Sequence, residues 1–152
     1  MKKAIVYLLA FCTIGLAPIC SAVEDIQGWR LFGQSETNYW YYTTKNIEFK
    51  NDGVVRIWSK ASAKGKIGID DKIKLLQRFG GNTKGYEQFS HSVSLFEINC
   101  SQRKSRVVSV TDYDKNGKSL ESVTVPDFPW DAIGKGTIMD NLTTVVCRPN
   151  KQ

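Results

Sequence analysis

The alternating segment that ends at Cys100 constrains the fold of this chain most. Phe96, Ile98 and Cys100 are expected to lie on one face of a β-strand, with Glu97 on the other face. A helical pattern further along the chain runs into Cys147. A bond between the two cysteines would therefore tie a C-terminal helix to this strand.

The helical pattern before Cys147 has its own start signal. Thr137 is a favourable N-cap, and Asp140 lies three residues later, where it places a negative charge in the first turn. Ile138, Leu142 and Val145 recur at helical spacing. They form an apolar stripe that we expect to lie on a sheet.

The N-terminus has the three parts of a secretory signal peptide. Lysines at the second and third positions form a positive head, the run 4–19 is mostly apolar, and Ala22 is a small residue at the cleavage position. These features predict that residues 1–22 are a signal peptide removed before Val23. The mature domain would then comprise residues 23–152.

Two alternatives to a cleaved signal peptide fit the sequence less well. An uncleaved membrane anchor needs about 20 apolar residues, whereas this run is shorter and contains Pro18. A lipid anchor on Cys20 needs a small preceding residue, and this chain has the bulky Ile19 there. We therefore expect no membrane span and no lipid in the mature protein.

Removal of residues 1–22 changes the cysteine count and the charge. Of four cysteines only Cys100 and Cys147 are left, and an even pair in an exported chain predicts a disulfide. The alternative, two buried free thiols, suits an oxidising compartment poorly. The net charge falls from +6 to +4 because two lysines leave. Basic and acidic residues are interspersed, so no nucleic-acid-binding patch is indicated.

Aromatic and β-branched residues predict the remaining strands. The expected strands cover residues 29–33, 39–43, 54–59, 96–100, 107–113 and 120–125. The aromatic run 39–42 could form a ligand platform. Packing on both faces of a half-buried strand explains such a run more simply.

The segment 60–90 has a different character. Residues 64–68 are expected to form a loop, and Asp70 to cap a short helix that Gly80 and Gly81 end.

Residues typical of an active site do not form a recognisable set. His91 is the single histidine, and with both cysteines paired neither a nucleophile–histidine site nor a zinc site is expected. The pairs Asp70–Asp71 and Asp112–Asp114 occur where helix caps and hairpin turns use aspartate. We therefore expect no enzymatic activity, no cofactor and no metal.

The most concentrated positive feature follows Cys100 directly and consists of Arg103, Lys104 and Arg106. A solvated turn between two strands explains these side chains. The alternative is a docking point for an acidic partner, so these three are the candidate partner-binding residues.

The order of these features resembles the surface-adhesin E-like domain family. The resemblance covers roughly residues 28–148 and rests on the strand segments 39–43, 55–58 and 96–100, the basic residues that follow, and the stretch from Trp130 to Cys147. The chain departs from the usual pattern in two places. It has Gly-Lys-Gly-Thr at 134–137 where the family commonly has Pro-Gly-Ser, and its 60–90 segment is longer.

The resemblance implies an α+β, mainly β fold, in which an antiparallel sheet of about six strands carries a C-terminal helix tethered by the disulfide. It also implies a periplasmic or cell-surface protein of a Gram-negative bacterium, with a homodimer as a candidate assembly. It supplies no catalytic residues. Together with the residue patterns it predicts a non-catalytic cell-envelope binding protein, which holds a protein partner through a sheet face or the 60–90 segment. The alternative is a periplasmic inhibitor of a cell-wall-degrading enzyme such as lysozyme.

Overall fold

The computed structural model describes residues 28–125 and 127–147, so the expected signal peptide lies outside the described residues. The strands are β1 (Arg30–Gln34), β2 (Asn38–Tyr42), β3 (Glu48–Phe49), β4 (Val54–Ala63), β5 (Phe89–Asn99), β6 (Lys104–Asp114), β7 (Ser119–Thr124) and β8 (Asp131–Ala132). The helices are α1 (Gly65–Arg78) and α2 (Ile138–Val146).

Within the described residues the strands form one antiparallel sheet. Six strands follow the order β1-β2-β4-β5-β6-β7, and the two-residue strands β3 and β8 pair with β4 and β6. The expectation of an antiparallel sheet of about six strands is confirmed. The longest strands, β4, β5 and β6, lie in its middle.

Both helices lie on the same face of the sheet. The core beneath α2 contains Tyr42 from β2, Val55 and Ile57 from β4, and Ile98 from β5, packed against Leu142. Residues that pair across neighbouring strands share a face, so the register places Ser92 and Asp112 on this side as well. We call this side the helix-covered face.

The helix α2 begins as the sequence predicts. Thr137 is its N-cap and accepts a hydrogen bond from the backbone N–H of Asp140, whose carboxylate in turn accepts one from the N–H of Gly136. The Gly-Lys-Gly-Thr entry therefore supplies a side-chain N-cap for the helix. The helix ends at Val146, and Cys147 at its C-cap forms the predicted disulfide with Cys100.

The helix α1 differs from the prediction at its start. It begins at Gly65 rather than after Asp70, which lies inside the helix and pairs with Lys66 one turn earlier. The prediction of a loop over 64–68 is wrong because Gly68 lets the start of α1 pack closely against the backbone that precedes β2. A Cβ atom on Gly68 would lie 2.4 Å from the carbonyl oxygen of Thr37. Gly80, with φ +70°, follows the last turn as expected.

A buried carboxylate anchors α1 to the sheet. Asp112 is 4 % exposed and accepts hydrogen bonds from the hydroxyls of Tyr86 (2.8 Å) and Ser92 (2.6 Å). The Lys72 ammonium from α1 lies 2.7 Å from the same carboxylate. Its charge is thereby neutralised within the fold. The 60–90 segment is therefore an integrated part of the domain and not an appended insertion.

Candidate protein-binding face

The side of the sheet opposite the helix-covered face carries no helix of the described residues. We call it the helix-free face. The register assigns side chains to it: Tyr41 pairs with Lys60, Trp58 with Leu95, and Arg56 with Glu97. Antiparallel sheets commonly leave one face solvated, and such a face is then mostly polar. Here it carries aromatic rings and cations.

The aromatic part of the helix-free face lies over β2 and β4. The Lys60 ammonium lies 4.8 Å from the centre of the Trp29 ring and 5.0 Å from that of Tyr41. The Lys64 ammonium lies 4.3 Å from the centre of the Tyr39 ring, and Tyr39 is 40 % exposed. Cation–π contacts at exposed sites contribute about 0.5–1 kcal/mol each, so they order these rings while leaving part of their surface open. The run 39–42 thus serves both faces, since Tyr42 is buried in the core.

The same face continues onto β5 and β6 with a stacked pair. The rings of His91 and Tyr113 lie 5.1 Å apart at an interplanar angle of 16°. Burial, with the charge of Lys60, lowers the pKa of His91 despite the opposing effect of Asp112. His91 is therefore an uncharged stacking partner at neutral pH, and it lies in the central strand β5.

A charged cluster lies at the end of the helix-free face that is nearest Cys100. Glu97 is only 1 % exposed although it faces away from the core. Its carboxylate lies 2.5 Å from the Lys50 ammonium, 2.6 Å from the Arg56 guanidinium and 2.7 Å from that of Arg106. Trp130 covers the Arg106 guanidinium at 4.8 Å.

These cations determine the ionisation of Glu97. Burial alone would raise the pKa of its carboxyl group, but hydrogen bonds from Lys50, Arg106 and Arg56 outweigh burial and lower that pKa to about 2. The carboxylate is therefore charged at neutral pH. One negative charge is surrounded by three positive ones, and the exposed Glu48 carboxylate reaches only Arg56, at 3.5 Å. This end of the face has an excess of positive charge.

The structure separates the three candidate partner-binding residues. Arg103 forms an ion pair with Asp140 at 2.6 Å and so joins the β5–β6 turn to α2. This contact is the first cause of the lowered pKa of Asp140. Arg106 belongs to the Glu97 cluster, and Lys104 is exposed two residues away on the same strand face. Only Lys104 and Arg106 therefore share the helix-free face.

The pair Asp112–Asp114 has structural roles, whereas the expected cap role of Asp70–Asp71 is wrong. Asp114 accepts hydrogen bonds from the backbone N–H groups of Lys118 and Asn116 in the β6–β7 turn, the position that the sequence suggested. These bonds lower the pKa of Asp114. Asp112 anchors α1 through Lys72, and Asp70 and Asp71 do not cap that helix.

Within residues 28–125 and 127–147 no His, Cys, Asp and Glu side chains group in a way that could hold a metal ion. Over the same residues, neither helix is long and apolar enough to cross a membrane.

A second exposed apolar surface lies on the outer side of α1. It consists of Ile67 (47 % exposed), Leu75 (46 %) and Phe79 (78 %), which we call the α1 stripe. Large exposed apolar side chains on one surface are typical of interaction sites. The α1 stripe and the helix-free face lie on opposite sides of the sheet.

The helix-free face has the composition of a protein-binding surface. Aromatic and arginine side chains are enriched at the centres of such interfaces, and charges at the rim steer association. Sequence reasoning missed the Glu97 cluster, since Lys50 and Arg56 lie 47 and 41 residues away in sequence. The local signal was a glutamate between apolar neighbours, Phe96 and Ile98, near the end of β5.

Comparisons with known proteins agree with this architecture. The sequence profile of the family described as surface-adhesin protein E matches residues 29–148. A structure of Haemophilus influenzae protein E in selenomethionine form is similar with a TM-score of 0.53 at 12% identity, over 82% of this chain and 88% of that one. Crystal form II of Haemophilus influenzae protein E gives 0.52 at 11%, over 82% and 90%.

No curated protein sequence matches the chain significantly. At this level of identity the structural likeness shows the fold alone. The family profile spans most of the sequence, and the matched range contains the residues of the disulfide, of the Glu97 cluster and of α2. The chain therefore belongs to the surface-adhesin protein E family.

Proposed function

We propose that this protein is a non-catalytic, adhesin-like binding protein of the cell envelope, and that it holds a protein partner on its helix-free face. The observation that carries the proposal is an uncovered sheet face on which aromatic rings are held by lysines beside a cluster with excess positive charge. Membership of a surface-adhesin family supports the same class of function.

The chemistry of the face favours a partner with both apolar and acidic surface. Rings such as Tyr39 offer apolar area at little cost in conformational entropy. The ammonium of Lys104 adds positive charge that attracts carboxylates during association.

Variants of exposed residues test this proposal without disturbing the core. Against a panel of immobilised host extracellular proteins, we expect Tyr39→Ser to weaken binding at least about tenfold, since aromatic anchors dominate such interfaces. Lys104→Glu should slow association and make binding less dependent on salt. Biolayer interferometry at two ionic strengths measures both effects.

The chain offers matched controls for these variants. Val123→Ser changes a residue that is 47 % exposed on the helix-covered side, so it should leave binding unchanged. Phe79→Ser changes the α1 stripe. If Phe79→Ser abolishes binding while Tyr39→Ser and Lys104→Glu do not, the partner docks on α1 and our assignment to the helix-free face is wrong.

The alternative function, a periplasmic inhibitor of a cell-wall-degrading enzyme, stays a prediction from sequence. An assay of lysozyme inhibition at micromolar protein tests it.

We further propose that the protein reaches the periplasm or cell surface after cleavage between Ala22 and Val23. Expression of the full chain in a Gram-negative host, followed by intact-mass measurement of the envelope fraction, should give a polypeptide that starts at Val23. A lipid-modified mass, or retention of residues 1–22, would contradict cleavage. Sedimentation of the same material tests the proposed homodimer.

A further inference from the structure

A cleft of about 810 Å³ lies at the end of the domain beside the disulfide. It opens between the C-terminal end of α2 and the segment that leads from β2 through β3 to β4. Its apolar lining includes Tyr42, Ile47, Phe49, Val55, Val145 and Val146, and the cysteines of the disulfide form part of the wall. The volume falls within the range of about 300–1,000 Å³ that small-molecule sites occupy.

Two apolar side chains at this cleft are left exposed to solvent. Phe49 is 66 % exposed and Val145 is 37 % exposed. They come from opposite sides, β3 and α2, so a ligand lying between them would contact both. Removing such surface from water contributes roughly 25 cal/mol per Å², which favours an apolar occupant.

The charges that line the cleft are positive. Arg30 and Lys50 line it, and none of the described lining residues is aspartate or glutamate. Lys50 is already bound to Glu97. Arg30 is exposed and has no ion pair with a described residue, so its guanidinium can bind a carboxylate in a two-point arrangement.

We propose that this cleft binds a long-chain fatty acid, with its acyl tail between Phe49 and Val145 and its carboxylate on Arg30. An extended peptide fits less well, because it would bury its own N–H and C=O groups against mostly apolar walls. An acyl chain has no such groups, and its single charged end matches Arg30, the cation of the described lining that has no ion pair. The site is distinct from the helix-free face, although Lys50 lines the cleft and also pairs with Glu97 on that face.

Fluorescence titration with cis-parinaric acid, followed by displacement with oleate, tests the proposal on the purified oxidised protein. We expect saturable binding of one fatty acid per chain. Phe49→Ser should weaken it at least about tenfold, because the ring's apolar contact is lost. The control Val123→Ser exposes a hydroxyl at a similarly accessible site away from the cleft and should bind like the wild type.

The head group is tested separately. Arg30→Gln should weaken the binding of oleate about tenfold, the cost of a charge-assisted hydrogen bond. The dissociation constant of oleyl alcohol, calculated from displacement with the probe affinity measured for each variant, should not change. Circular dichroism confirms that each variant is folded.

The proposal is overturned if oleate at about 100-fold molar excess over the protein does not displace the probe. It is also overturned if Phe49→Ser binds normally, if Arg30→Gln affects acid and alcohol equally, or if several probes bind irrespective of the variants.

Discussion

Replacing Glu97 by glutamine is expected to destabilise the fold by about 3 kcal/mol, the lower end of the range for breaking a buried ion pair. The substitution keeps the shape of the side chain and removes the charge that holds Lys50, Arg56 and Arg106 together. The cost stays below the upper limit because these cations are 25–38 % exposed and regain part of their hydration. Urea denaturation followed by tryptophan fluorescence measures it.

The matched control is Glu48→Gln. Glu48 lies 3.5 Å from Arg56 with a side chain that is 57 % exposed, so its loss should change stability by less than about 0.5 kcal/mol. Equal effects of the two variants would show that Glu97 stabilises the sheet no more than a surface ion pair does.

The same carboxylate predicts a pH dependence. The folded pKa of Glu97, about 2, lies below the ordinary value of 4.5, so its contribution to stability is fully present above pH 4.5 and is lost as the pH falls toward 2. Over this interval the wild type should lose stability more steeply than Glu97→Gln. Parallel curves for the two proteins would contradict the depressed pKa.

Replacing both disulfide cysteines, Cys100→Ser with Cys147→Ser, is expected to lower the free energy of unfolding by about 4 kcal/mol. The bond joins residues 47 positions apart and so restricts the unfolded chain strongly. The folded state should persist, because Leu142 and Val146 hold α2 on the sheet by burial. Urea midpoints of the oxidised wild type and the double variant give the difference.

A reductant provides the control for the disulfide. It should shift the wild type to the midpoint of the double variant and leave the double variant unchanged. A loss below about 1 kcal/mol would fall under the range typical of native disulfides. The attachment of α2 would then depend on packing alone.

The elements that sequence reasoning predicted correctly depend on neighbours within a few residues. The capping of α2 by Thr137 uses Asp140, three residues away. The β5 alternation places Ile98 in the core. The hairpin after Asp114 forms through hydrogen bonds that its carboxylate accepts from Asn116 and Lys118, two and four residues later. These features were predictable because hydrogen bonding and side-chain periodicity act locally.

The errors and omissions concern long-range contacts. Lys64 and Gly65 were assigned to a loop, but α1 starts there because the N–H of Lys64 donates to the carbonyl of Thr37 and Gly68 packs against the same carbonyl. Asp112 was interpreted as an aspartate of the nearby hairpin turn, whereas its carboxylate accepts hydrogen bonds from Tyr86 and Ser92. A polar residue in a strand does not show whether it faces solvent or a buried partner.

The sequence by itself determined the β-rich architecture, the start of α2 and the Cys100–Cys147 bond, since these follow from local periodicity, capping and the pairing of two cysteines. Only the tertiary structure decided which surfaces stay open. The helix-free face exists because α1 and α2 pack on the same side, and the cleft exists because β3 and the end of α2 stop short of each other. Both depend on contacts between residues far apart in the chain, where the free energy of packing outweighs local preference.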